Sequence, residues 1–169
     1  YWIGSNGDSF NDNTKWSTTS GGSNDTTAPG TSDIATFDGN GNTNVALDST
    51  VDVSGIDINA GYTATLTQSS GVAVTVGLGD YNQADGTFTG SDANIDLNGF
   101  FIQSGGVFTS TSATFYMGRN VTISGGTFNH NSGTIEVDGS PGSHNGRVWD
   151  INSSLTVNNF VSNIGGGYD

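Results

Sequence analysis

Cysteine is absent from this chain. That excludes a disulfide framework and a thiolate metal site, and leaves the redox compartment open. Cations are scarce as well: Lys and Arg total 3 against 16 Asp and Glu, for a formal net charge of −13. Such a chain has no means of neutralising a phosphate backbone, so nucleic-acid binding is excluded. Anionic membranes and acidic polysaccharides are repelled unless cations bridge the contact. No apolar run approaches the roughly 18 residues that cross a bilayer, so no membrane span is expected. There is no helical periodicity of useful length. The chain opens on Tyr1 rather than Met and without a signal peptide, as a mature or trimmed product would.

Glycine, in contrast, is abundant at 27 of 169 residues, and Ser, Thr, Asn and Asp fill much of the remainder. This acidic, nearly lysine-free composition points to an extracellular, cell-surface location. Regularly spaced aromatic and β-branched residues set the chain apart from disordered sequences, which lack them.

Those residues recur every 20 positions from Tyr81 to Val157, a period that marks a repeat architecture. One column reads Phe88, Phe108, Phe128 and Val148. A second reads Ile95, Phe115, Ile135 and Leu155, and a third Leu97, Met117, Val137 and Val157. Asp96, Tyr116, Glu136 and Thr156 fall between the last two, as outward positions of a strand do. Gly86, Gly106, Gly126 and Gly146 form a corner column that needs positive φ or close packing. Upstream, Val53 and Val74 continue the pattern with one-residue slips. The reading is an all-β, single-stranded parallel β-solenoid of about 20 residues per turn, right-handed by the crossover rule. It spans residues 32–169 and follows an irregular N-terminal cap segment, 1–31.

A solenoid exposes two open ends with unpaired backbone groups. The cap offers Tyr1, Trp2, Ile3 and Trp16, and the other end Phe160, Val161, Ile164 and Tyr168. Tyr168 keeps the phase of Val148, so the register runs to the end of the chain. A head-to-tail contact between these two sets does not close and builds a fibre, which makes a second copy of the chain the expected partner.

Five stretches carry a resemblance. Tyr1-Trp2-Ile3-Gly4, Lys15-Trp16-Ser17 and Pro29-Gly30-Thr31-Ser32-Asp33 resemble the start of many bacterial surface proteins. Ser124-Gly125-Gly126-Thr127-Phe128-Asn129 and Ser132-Gly133-Thr134-Ile135-Glu136-Val137 are similar to the repeats that follow in them. The class is that of secreted β-solenoid surface proteins, similar to adhesin and autotransporter passenger repeats. The resemblance implies an extracellular parallel β-helix and no catalytic residue.

Candidate chemistry is sparse. The outward acids Asp80, Asp85, Asp92, Asp96, Glu136 and Asp138 do not read as one compact column, and Arg119, Arg147, His130 and His144 are the cationic or proton-carrying residues beside the lone Lys15. No pair suited to glycoside hydrolysis is specified, so the chain reads as non-enzymatic. Two oxygen-rich loops have the ligand chemistry of calcium: Asp8, Asn11 and Asp12 in one, and Asp38, Asn40 and Asn42 in the other. The same residue types are also ordinary turn formers. Ice binding, which a flat threonine ladder on a solenoid can support by ordering water, is disfavoured, because columns 89/109/129 and 91/111/131 are short and irregular. The reading is therefore a self-assembling extracellular structural protein. The alternative is a monomeric adhesin or glycan-binding module contacting its ligand through Tyr116, Trp149 and Asn129, with a polysaccharide-degrading β-helix enzyme a distant third.

Overall fold

Strands of only two to five residues, set off by Gly, Asn, Asp or Ser, cannot bury an apolar face alone and must stack. The computed structural model describes residues 1–138, 148–152 and 155–163, and shows that stacking. The cap contributes β1 (Asp8–Ser9). The first turn runs through β2 (Ile34–Phe37), β3 (Val45–Leu47) and β4 (Val51–Val53), and the second through β5 (Gly55–Ile58), β6 (Thr65–Gln68) and β7 (Val74–Val76). The third holds β8 (Tyr81–Gln83), β9 (Thr87–Thr89) and β10 (Ile95–Leu97), and the fourth β11 (Phe101–Gln103), β12 (Val107–Thr109) and β13 (Thr114–Met117). The fifth is β14 (Val121–Ile123), β15 (Thr127–Asn129) and β16 (Thr134–Asp138), and the sixth has β17 (Trp149–Ile151) and β18 (Asn159–Asn163). All the ladders between these strands are parallel, and among the described residues there is no α-helix.

Three six-stranded sheets result, in the orders β2-β5-β8-β11-β14-β17, β1-β3-β6-β9-β12-β15 and β4-β7-β10-β13-β16-β18, here the first, second and third sheets. One turn takes about 21 residues. Most strands of the first and third sheets run in-out-in, as in Val51-Asp52-Val53 and Phe101-Ile102-Gln103. Strands β9 and β12 of the second sheet run out-in-out, as in Thr87-Phe88-Thr89.

The inward columns meet in register. Phe88 pairs with Phe108 and Phe108 with Phe128, and Ile95, Phe115 and Ile135 align in the third sheet. The Phe88 and Phe108 rings stack 5.0 Å apart, and Phe108 and Phe128 follow at 5.4 Å. The gap left between the three sheets around Val74, Phe88 and Phe108 is about 10 Å³, at the lower limit for one water. At the corner between the first and second sheets, Gly86, Gly106 and Gly126 have φ of 64°, 65° and 79°. A Cβ at Gly106 would also collide with the carbonyl oxygens of Asp85 and Gly86. Both reasons expected for that column therefore apply. Gly146 lies outside the described residues.

Two members of the expected stack are corrected. Val148 does not follow Phe128: it is exposed, and its carbonyl accepts from Val121 N–H at the start of β17. Leu155 does not follow Ile135, whose partner is Phe160; Leu155 lies outside the strands, half-buried against the core. The cause is in the sequence after Asp138. The in-phase partner for Val121 would be Pro141, which has no N–H to give a ladder. Trp149 takes the pairing instead, and the strict phase ends with β16.

A polar stack lies inside the same wall. Gln83 and Gln103 are buried and aligned in adjacent strands. Gln83 Nε2 donates to the carbonyls of Asp85, Gly86 and Val107, and its Oε1 accepts from the Tyr81 hydroxyl at 3.2 Å. One turn on, Phe101 stands in register with Tyr81, ring on ring at 5.3 Å, and has no hydroxyl to give. Gln103 Oε1 is accordingly buried without a partner. Phe101→Tyr is expected to supply it and to stabilise the protein by about 0.5–1.5 kcal/mol. A lowered urea midpoint would show that the corner has no room for the oxygen.

Candidate functional site

Among the described residues side chains fill the interior around Val74, Phe88 and Phe108, which turns attention to the outer faces and the ends. The N-terminal end is sealed by aromatic rings. Trp2 and Trp16 are 1% and 0% exposed and form an antiparallel bridge. Trp16 meets Trp2, Phe10 and Phe37 edge-on, with ring centroids 5.3, 5.0 and 5.7 Å away. Its Nε1–H donates to the Phe10 carbonyl at 2.8 Å, and Trp2 Nε1–H donates to Thr43 Oγ1 at 2.9 Å. Both indoles thus place their one donor and bury their rings. This removes Trp2 and Trp16 from the expected assembly face, because neither side chain reaches the surface. Ile3 is half-buried, and its N–H donates to the Lys15 carbonyl.

Calcium was expected at two loops of this end, and the residues there have structural partners. Asp8 accepts from Ser5 N–H and pairs with Lys15 at 3.0 Å. Asp12 accepts from the N–H and hydroxyl of Thr14, and Asn11 donates to Ser49 Oγ and the Thr50 carbonyl. Asp38 caps the short 3-10 turn by accepting from Asn40 N–H, and Asn40 donates to Ser20. Asn42 joins the first two turns, accepting from the N–H groups of Thr63 and Ala64. Among the described residues, no three His, Asp or Glu side chains come together as a metal group.

These bonds set the acid behaviour of the cap. The N–H of Ser5 and then the Lys15 ammonium hold the Asp8 carboxyl below its ordinary value. Thr14 does the same for Asp12, and Thr18 for Asp25. A lowered native pKa contributes stability that is present above the usual carboxylate range and is lost as pH falls through the native value. Asp96 behaves oppositely. It lies on the outer face of the third sheet in one row with Asp52, Thr75, Tyr116 and Glu136. Burial, then the charges of Asp138 and Asp52, push its carboxyl upward. That costs stability at neutral pH and is relieved as pH falls. Asp96→Asn is therefore expected to raise the melting temperature at neutral pH, with the gain fading in acid. An equal gain at both pH values would show that charge is not the cause.

The ends hold most of the exposed large apolar side chains. Tyr1 and Ile34 stand at the N-terminal end, Ile34 being 46% exposed on the edge strand β2. Val148, Phe160 and Val161 stand at the other end, Phe160 being 48% exposed on β18, the last strand of the third sheet. Trp149 packs edge-on against Phe160 at 5.2 Å, and the last strand of the second sheet, β15, leaves Phe128 half-buried. Ile164 and Tyr168, expected at this end, lie outside the described residues. Between the cap loop and β2 there is a groove of about 250 Å³, lined by Tyr1, Thr18, Thr26, Pro29, Asp33 and Ile34 among others.

Other residues singled out from the sequence are scattered. Tyr116 lies on the third sheet and Asn129 on the second, while Trp149 occupies the inward column continued from Val121 on the first. They form no common surface. Arg119 sits 5.5 Å from the Phe100 ring centre, and His130 Nδ1 accepts from Ser132 N–H. Arg147 and His144 lie outside the described residues. No helix among the described residues is long and apolar enough to cross a membrane. No protein-family model, curated protein or solved structure matches the chain.

Proposed function

We propose that this chain is an extracellular, non-enzymatic structural protein whose solenoids join end to end into a filament or surface layer, in the manner of the secreted β-solenoid proteins it resembles. The observation that carries this reading is the segregation of exposed apolar side chains. Of the six large ones among the described residues, Leu78 alone lies along the side of the solenoid, and Tyr1, Ile34, Val148, Phe160 and Val161 stand at its two ends. Apolar groups concentrated on two opposed surfaces of an acidic rod favour contact between ends over contact between sides. The two ends differ, one sealed by indoles and the other finishing on strand edges, so the contact is heterologous and propagates. The N-terminal end docks through Tyr1 and Ile34, since its tryptophans are buried. Negative-stain electron microscopy of the purified chain tests the reading: fibres of uniform width support it, and discrete particles at all concentrations overturn it.

A monomeric glycan-binding module is the second reading, favoured by the groove beside Tyr1, where an aromatic ring, hydroxyls and the Asp33 carboxylate converge. Discrete particles that bind a glycan array, with binding lost in Tyr1→Ala, would support it.

A further inference from the structure

The outer face of the second sheet has a composition unlike the rest of the surface. From β6 to β15 its outward side chains form two files. One reads Thr65, Thr87, Val107 and Thr127; the other reads Thr67, Thr89, Thr109 and Asn129. Not one is charged, in a chain with 16 acids. The corresponding rows of the other sheets carry Asp57 and Asp150, and Asp52, Asp96 and Glu136. No aromatic ring lies on the face either. Among the described residues, no protein group bonds the hydroxyls of Thr65, Thr67, Thr87, Thr89 or Thr127, and Thr109 Oγ1 accepts from Asn129.

The files are regular for a structural reason. Two threonine pairs flank buried Leu66 and buried Phe88, Val107 and Thr109 flank buried Phe108, and Thr127 and Asn129 flank half-buried Phe128 at the far end. The strands align residue for residue, which spaces like side chains roughly 4.8 Å apart along a file. The two files are two residues apart, or roughly 6.6 Å. Threonine is stiff about χ1, so its methyl and hydroxyl keep fixed directions. The result is a grid of hydroxyls with methyls between them, and its two repeats are close to the oxygen repeats on the prism face of hexagonal ice.

We propose that this face binds ice. The hydroxyls hold waters at lattice positions while the methyl groups exclude disordered water from the spaces between, so the ordered layer merges with the crystal. A soluble polyanion is not attracted, because the face has no positive charge, and a sugar has no ring to stack on. Periodicity is the recognisable feature, and a crystal of water shares it.

Nanolitre osmometry on the purified chain tests the proposal. The expected result is a gap between melting and freezing temperatures with faceted crystal growth. Thr89→Tyr, at the middle of its file, is expected to lose the faceting and most of the gap. Thr122→Tyr, on the outer row of the first sheet, is expected to keep both. Circular dichroism and melting temperature confirm that both variants fold. Rounded crystals without a gap for the unaltered chain overturn the proposal, as does an equal loss in the two variants.

Discussion

Phe108→Ala is expected to destabilise the protein by about 3–5 kcal/mol, the range for removing a fully buried phenyl ring. Phe108 is 1% exposed and packs on Tyr81, Phe88, Phe101, Phe115 and Phe128, with ring centroids 5.0–5.4 Å away. It touches residues from all three sheets and lines the small gap between them. Collapse into the new cavity is limited, because β12 is held in register by ladders to β9 and β15 on either side. Aromatic pairing adds roughly 0.5–1.5 kcal/mol per pair to the area buried, so the loss belongs near the top of the range. Phe128→Ala removes the same ring from a half-buried site and is expected to cost less. Urea unfolding measures both. A loss under about 1 kcal/mol for Phe108→Ala would place the ring outside a rigid core.

Trp16→Ala is expected to cost a similar amount, about 3–5 kcal/mol, but with its damage concentrated at the N-terminal end. The indole is fully buried against Trp2, Phe10 and Phe37, and its N–H satisfies the Phe10 carbonyl. Without it the cap loses its edge-on ring contact with Phe37 of the first turn, which then lies beneath an incomplete cover, while the ladder from β1 to β3 remains. A solenoid is close to one-dimensional in its energetics, so the loss propagates by nearest-neighbour coupling rather than uniformly. Hydrogen exchange should therefore accelerate first in β1, β2 and β3, while β12 and β13 stay protected. Trp16→Phe keeps a ring but not the donor, and is expected to cost about 1–3 kcal/mol by orphaning the carbonyl. Uniform acceleration in every turn would contradict the local account of the cap.

The sequence columns read best where the turn length is constant. Phe88, Phe108 and Phe128, Ile95, Phe115 and Ile135, and the corner glycines Gly86, Gly106 and Gly126 are all visible because nothing interrupts their spacing. Val148 and Leu155 were misplaced by the same counting, since the segment after Asp138 breaks the phase and a count cannot see it. Trp2 and Trp16 read as end-cap residues, but only three dimensions show that they bury each other and leave the end to Tyr1 and Ile34. The threonine face was hidden by register. Columns 91, 111 and 131 fall at the corner, where Thr111 is buried. The second file is 87, 107 and 127, and Thr65 and Thr67 join the two files, one each, only through an irregular step between β6 and β9. The acidic row was obscured likewise, because Asp52 aligns with Asp96 only through Thr75.

Head-to-tail growth is tested most directly by blocking one end at a time and mixing. Sedimentation velocity would be run on the unaltered chain, on Ile34→Asp, on Phe160→Asp, and on an equal mixture of the two variants. The account predicts a series of oligomers for the unaltered chain that lengthens with concentration, single chains for each variant alone, and dimers and nothing longer for the mixture. An unaltered chain that sediments as a single species at every concentration, or variants that assemble as it does, would contradict it.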